Sequence, residues 1–162
     1  SSLPSYTKDL SKYPNLVVFQ TLSKAWGAAG IRLGMAFASP EIISVLNKIK
    51  YPYNVNQLTQ EKALEILNNQ ETMKSQLTLI LSERTRLQQE LTAIPCVRKI
   101  YPTDANFILV DVGDADAVYQ KLVDQGIIVR NRNKVVLCAG CLRITVGTEE
   151  ENTALLNALK NM

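Results

Sequence analysis

Lys24 and Arg32 stand in sequence contexts that suit covalent chemistry and phosphate binding. Lys24 follows the β-rich run Leu16–Thr21 and precedes a segment of small residues, and Arg32 comes eight residues later at the start of a second apolar run. A lysine at the end of a buried strand, among small residues, can act as an amine nucleophile toward a carbonyl group. The planar donors of an arginine can bind a phosphate. With the Ser23 hydroxyl as a further donor, the spacing predicts a pyridoxal phosphate (PLP) site.

Each of these three residues also has a simpler interpretation. Most lysines are exposed, so Lys24 could be a surface lysine after a strand. Arg32 could be a charge on the outer face of a strand, and Ser23 could cap a strand end. The apolar or small neighbours of Lys24 favour a partly enclosed amine, and burial makes an amine a better nucleophile.

The composition excludes several classes of function. The net charge of +3 on 162 residues is mild and the basic residues are dispersed, so nothing indicates a nucleic-acid partner. No apolar run reaches the ~18 residues that a membrane span requires. The chain has no histidine, which excludes Ser-His and Cys-His catalysis within it and leaves Lys24 as the acid–base candidate.

The three cysteines do not indicate a disulfide framework. Cys138 and Cys141 form a C-x-x-C pattern, but a zinc site requires a second pair or histidines. A redox dithiol usually opens a helix, whereas Cys141 leads into a β-like run. The pattern therefore favours two partly buried thiols near a turn, with no metal.

Caps and hydrophobic periodicity predict the elements that position these groups. Ser39, Pro40 and Glu41 are typical of a helix start, and Thr148 with Glu151 of a capping box. Apolar alternation and periodicity predict further strands and helices. The predicted strands are Leu16–Thr21, Ile31–Ala38, Asn106–Asp111, Ile127–Arg130 and Leu142–Val146. The predicted helices are 39–50, Gln57–Leu67, Glu71–Thr92, Asp114–Gln125 and a terminal helix with Ala154, Leu155, Ala158 and Leu159 inside.

The segment Thr21-Leu-Ser-Lys-Ala-Trp-Gly-Ala-Ala-Gly-Ile-Arg-Leu-Gly34 resembles the PLP-lysine signature of fold-type I aminotransferases. Three further segments extend the resemblance over nearly the whole chain: Pro52–Asn56, Gly126–Arg130 and Gly140–Thr148. The last of these, at its distance before a terminal helix, points to the histidinol-phosphate aminotransferase family within that superfamily.

The resemblance implies an α/β fold of two parts. Residues 1–56 would form the tail of a large PLP-binding domain, residues 57–70 a helical linker, and residues 71–162 a small C-terminal α+β domain. Family members are roughly twice as long and this chain has no initiator Met. We therefore expect it to be the C-terminal part of a longer protein.

The resemblance also assigns roles to individual residues. Lys24 would bind the PLP aldehyde and move the proton at the substrate's α carbon, while Arg32 and Ser23 would bind the cofactor phosphate. Arg143 would hold the anionic end of both substrates, glutamate and histidinol phosphate, and Arg130 would add the second positive charge that a phosphate dianion needs.

Other assignments remain open at the substrate site. From its strand pattern alone, Arg143 could equally face solvent. Arg132 is the neighbouring alternative to Arg130 and is expected to face solvent. Tyr53 resembles a contact of the substrate phosphate, although a packing tyrosine at a dimer surface is nearly as well supported.

The implied function is amino transfer between glutamate and imidazole acetol phosphate, a cytoplasmic step of histidine biosynthesis performed by a homodimer. The isolated chain is not expected to be competent alone, because the groups that hold the pyridine ring in this family would lie upstream of Ser1. Alternatives are an aromatic amino acid aminotransferase, a threonine-phosphate decarboxylase, the aminotransferase-like sensor domain of a transcription regulator, and a module that serves dimerisation only.

Overall fold

A computed structural model describes residues 4–162 of the chain, so the first three residues of the predicted first domain lie outside the described part. The chain divides into two compact units, one ending at Ser75 and one spanning Gln76–Met162. The domain limits near residues 56 and 70 remain a prediction. No helix in the described part of the chain is long and apolar enough to cross a membrane.

The first unit contains two short strands and two complete helices. β1 (Val18–Thr21) pairs antiparallel with β2 (Gly34–Phe37), so that Thr21 lies opposite Gly34. α1 (Pro40–Ile49) begins as predicted, because the Ser39 hydroxyl accepts from the Ile42 amide and proline occupies the first turn. α2 (Gln57–Asn68) is capped by Asn56.

A small apolar cluster holds the first unit together. Leu22, Ala28 and Ala63 are buried, and Trp26 and Ile31 are among the partly buried side chains packed against them. Several large apolar side chains of this unit are exposed instead, including Phe19 and Tyr53.

The second unit is an antiparallel sheet with helices on one face. Its strands follow the order β3 (Lys99–Ile100), β4 (Phe107–Asp111), β6 (Cys141–Thr145) and β5 (Arg130–Asn131). The helices are the C-terminal part of α3 (Gln70–Leu91), α4 (Ala115–Val123) and α5 (Glu149–Lys160).

Alternation along the central strands separates the two faces of this sheet. Ile108, Val110, Leu142 and Ile144 belong to the buried core, which also includes Leu122 of α4. The residues between these, whose side chains point to the opposite face, are not covered by the helices of this unit. Phe107, Leu109 and Arg143 therefore lie on the face opposite the helices and are only partly buried, whereas Cys141 on that face is buried.

The mixed α/β fold predicted from the sequence is confirmed, but β3 was not predicted, β1 begins two residues later than predicted, and further details were wrong. The strand predicted over 31–38 begins only at Gly34, because a 3₁₀ turn at Ala29–Ile31 comes first. The strand predicted at 127–130 is reduced to Arg130–Asn131. In α5, Ala154 is exposed and Leu156 is buried, since the packed face is rotated by part of a turn.

Candidate functional site

Lys24 lies in a tight loop directly after β1. The Gly27 amide donates to the Lys24 carbonyl at 2.9 Å, and the Ala28 amide closes the loop on the Leu22 carbonyl at 3.0 Å. Gly27 has a φ of +62°, a conformation that glycine adopts without steric cost. The small residues after the lysine therefore serve a backbone turn.

Buried residues on both sides of Lys24 fix this loop in the first unit. Leu22 and Ala28 are 2% and 7% exposed and pack with Ala63 of α2. Lys24 itself is exposed, so the prediction of a partly enclosed amine is wrong for the described chain. The physical reason is that small residues have no side chains to cover a lysine stem, and the larger Trp26 packs into the Leu22 cluster.

Arg32 sits on a turn and not at the start of a strand, which corrects the sequence interpretation. It follows the 3₁₀ turn with φ +55° and ψ +41°, a left-handed conformation that is uncommon for a residue with a side chain. Its guanidinium donates to the Ala29 carbonyl at 3.0 Å. No acidic partner of Arg32 is present in the described part of the chain, so its remaining donors are available to an anion.

Ser23 is positioned by its neighbour Thr21. The Thr21 hydroxyl donates to Ser23 Oγ at 2.9 Å and accepts from the Ser23 amide at 3.1 Å. Because Ser23 Oγ accepts this hydrogen bond, its own proton can be donated to a further oxygen.

The structure brings Ser23, Lys24 and Arg32 to the same end of the β1–β2 ladder. The ladder pairs Thr21 with Gly34 and is continued by the Leu22 amide, which donates to the Leu33 carbonyl at 3.3 Å. The two segments that leave this end carry the amine, the hydroxyl and the guanidinium. This donor set fits PLP, which needs an amine for its aldehyde and hydrogen-bond donors for its phosphate.

Tyr53 lies in the connection between α1 and α2 and is 94% exposed. Within residues 4–162, its hydroxyl has no hydrogen-bond partner. In the described part of the chain, no hydrogen bond therefore joins Tyr53 to Ser23, Lys24 or Arg32.

Arg130 and Arg143 are direct cross-strand neighbours in the second unit. Side chains opposite one another in an antiparallel pair have Cβ atoms ~5 Å apart, and like charges there are destabilising. Neither arginine forms a salt bridge with any described residue. Two arginines on neighbouring strands, with no acidic partner among the described residues, can attract an anion.

The guanidinium of Arg143 is oriented by an aromatic ring. Its Cζ lies 5.0 Å from the centroid of Phe107, within cation–π range. Its Nε is buried and has no hydrogen-bond partner among the described residues. A buried N–H without a partner costs ~1–3 kcal/mol, and an anion placed here would remove that cost. Sequence reasoning missed Phe107, because the strand pattern gives no sign of which residue lies beside the arginine.

The lysine loop after β1 and the order of strands and helices agree with the fold-type I aminotransferase chain that the sequence resemblance implies. A family model described as "Aminotransferase class I and II" matches residues 3–159, and the chain belongs to this family. The resemblance found in the sequence is thereby confirmed.

Individual proteins that are similar to this chain indicate which aminotransferases it resembles within the family. A histidinol-phosphate aminotransferase from Parabacteroides distasonis is 67% identical over 162 residues, which are 100% of this chain and 47% of that protein. The crystal structure of the histidinol-phosphate aminotransferase from Clostridium acetobutylicum is 25% identical with a TM-score of 0.86, over 97% of this chain and 48% of that one. The corresponding Sinorhizobium meliloti enzyme, in complex with PLP, is 27% identical with a TM-score of 0.81, over 96% and 43%. The chain spans about half the length of the curated relatives it matches.

Proposed function

We propose that this chain is part of a PLP-dependent aminotransferase that exchanges an amino group between glutamate and histidinol phosphate in histidine biosynthesis. The observation that carries the proposal is the convergence of Lys24, Ser23 and Arg32 at one end of a strand pair, in a chain of the aminotransferase family. The relatives named as histidinol-phosphate aminotransferases support the choice of substrates.

Lys24, Ser23 and Arg32 hold the cofactor in this proposal. PLP, when bound, supplies an aldehyde that combines with amines and a ring that withdraws electrons from the substrate's α carbon. Lys24 provides the amine for that aldehyde. As a free amine beside the bound cofactor, Lys24 would move the proton at the substrate's α carbon. Arg32 and Ser23 donate to the phosphate and so anchor the cofactor.

Arg143 and Arg130 bind the anionic ends of the two substrates. Arg143, with its unpartnered Nε, binds the carboxylate of glutamate or the phosphate of histidinol phosphate. Arg130 supplies the additional charge that a phosphate dianion needs. A contact of Tyr53 with the same phosphate is part of the proposal that rests on the family resemblance alone.

Assembly and location belong to the same proposal. The resemblance implies a cytoplasmic homodimer. We also propose that the 162 residues do not perform transamination alone, because residues 4–162 leave Lys24 exposed. A PLP ring bound there needs further groups to hold and cover it.

A chimera tests the function. The segment of the Parabacteroides distasonis protein that this chain matches is replaced by these 162 residues, and the product is assayed with PLP, glutamate and imidazole acetol phosphate. We expect turnover comparable with the parent enzyme and none in the Lys24→Ala variant. Lys62→Ala, a lysine paired with Glu65 on α2, is the matched control. Near-normal transamination by the Lys24→Ala chimera would refute the catalytic assignment.

The same chimera separates the competing substrate classes. An aromatic 2-oxo acid tests the aromatic aminotransferase alternative, and threonine phosphate with carbon dioxide detection tests the decarboxylase alternative. Imidazole acetol phosphate should be preferred over both. Preference for either competitor would overturn the substrate assignment while leaving the role of Lys24 intact.

A further inference from the structure

Cys138 and Cys141 stand at the two ends of one hydrogen-bonded turn. The Cys141 amide donates to the Cys138 carbonyl at 3.0 Å, and Gly140, the third residue of the turn, has a φ of +73°. The end residues of such a turn have Cα atoms less than ~7 Å apart. Disulfides join Cα atoms that are ~4.4–6.8 Å apart. The turn therefore holds the two cysteines at a separation that a disulfide can span.

The side chain of Cys141 is directed back over this turn. Its Sγ lies 3.6 Å from the Ala139 carbonyl oxygen, and the residue is 1% exposed. Burial raises the pKa of the Cys141 thiol, so that thiol is predominantly protonated at neutral pH. Cys138 is only partly buried. An oxidant in solution therefore reaches Cys138 first, with Cys141 as the second thiol beside it.

The surrounding loop keeps the turn in place. Asn133 accepts from the Gly140 amide at 2.9 Å and donates to Asp116 at 2.8 Å. Because these contacts fix the turn in the reduced chain, closing a bridge requires little further chain ordering. Within residues 4–162, the two cysteines belong to no group of three or more side chains that could hold a metal ion.

We propose that Cys138 and Cys141 form a reversible intramolecular disulfide when the protein meets a peroxide. The sulfur of Cys138, as thiolate, attacks hydrogen peroxide, which breaks the O–O bond and gives a sulfenic acid and hydroxide. The Cys141 sulfur, on losing its proton, then attacks that sulfur, forming the S–S bond and releasing the hydroxyl group as water. Overall, two thiols and one peroxide give one disulfide and two waters, and an added dithiol reverses the reaction.

The disulfide and the proposed anion site are connected through β6, which contains both Cys141 and Arg143. Cys141 is the first residue of β6 and lies two positions before Arg143 on the same face of the sheet. Formation of the disulfide therefore joins the start of the strand that carries Arg143 to the preceding turn. The disulfide itself depends on the turn alone and does not require the proposed function.

The test uses the 162-residue chain with hydrogen peroxide, followed by alkylation of the remaining thiols and peptide mass spectrometry. We expect two thiols to be lost, a peptide containing the Cys138–Cys141 bridge, an alkylated Cys96, and full recovery with dithiothreitol. Cys96→Ser should behave like the parent chain, whereas Cys138→Ser and Cys141→Ser should yield no bridge.

Three outcomes would overturn the proposal: a disulfide involving Cys96, a bridge between two chains, or Cys138 oxidised to the sulfinic acid while Cys141 stays reduced. Because Cys141 is buried, circular dichroism is used to confirm that the Cys141→Ser variant is folded. Disulfide mapping of the unsubstituted chain tests the proposal without relying on any variant.

Discussion

Replacing Arg130 by glutamine should stabilise the second unit in the absence of anions. Arg130 lies directly opposite Arg143, and neither has an acidic partner in residues 4–162. At ~6 Å in water, two like charges repel by ~0.7 kcal/mol, and cross-strand charge pairs are worth ~0.2–1 kcal/mol. For a unit of this size, 1 kcal/mol shifts the melting temperature by ~4–8 °C. We therefore expect Arg130→Gln to raise the melting temperature of this unit by roughly 1–8 °C.

Inorganic phosphate should reduce this difference in melting temperature. Phosphate binds the folded arginine pair, so it should raise the melting temperature of the parent chain more than that of Arg130→Gln. The measurement is thermal unfolding followed by circular dichroism at low ionic strength, with chloride at matched ionic strength as the salt control. Arg132→Gln removes the same charge one position beyond β5 and should change both readouts less. If Arg130→Gln lowered the melting temperature without anions, or kept the full gain with phosphate, the anion-site reasoning would be wrong.

Three further predictions concern the second unit and the substrate arginines. Asn152→Ala removes three hydrogen bonds, to the amide and carbonyl of Gly147 and to Glu83, and should cost ~1–3 kcal/mol in the free energy of unfolding measured with urea. Hydrogen bonds from Arg86 and Asn152 hold the pKa of Glu83 below its usual 4.5. The ionised Glu83 therefore stabilises the folded state fully above pH 4.5, and this contribution is lost as the pH falls through the lower pKa of the folded state. Urea midpoints measured from pH 7 to pH 3 should therefore fall less steeply in Glu83→Gln. In the chimera, Arg130→Ala should raise KM for histidinol phosphate more than for glutamate, and equal losses would contradict the division of labour.

The parts of the fold that local chemistry decides could be predicted from the sequence. The starts of α1 and α5 follow from caps whose hydrogen bonds form within four residues, at Ser39 and Thr148. The positions of β4 and β6 follow from alternation over a half-buried sheet. The candidate cofactor lysine was found because its strand, turn and arginine lie within one continuous segment.

The remaining features depend on non-local packing. The exposure of Lys24 could not be predicted, because the same small residues suit an enclosing pocket and a bare turn. The pairing of Arg130 with Arg143 depends on the register across a long loop, which the sequence does not specify. The left-handed turn at Arg32 is unexpected for an arginine, and the apolar run that follows it favours a strand.

Trapping the cofactor with borohydride tests the central claim that Lys24 is the PLP lysine. The chimera is incubated with PLP, reduced with sodium borohydride and digested, and the modified lysine is located by mass spectrometry. We predict that Lys24 carries the pyridoxyl group at near-full occupancy, and that Arg32→Gln lowers this occupancy at limiting PLP. Full modification of a different lysine, with Lys24 unmodified, would contradict the account.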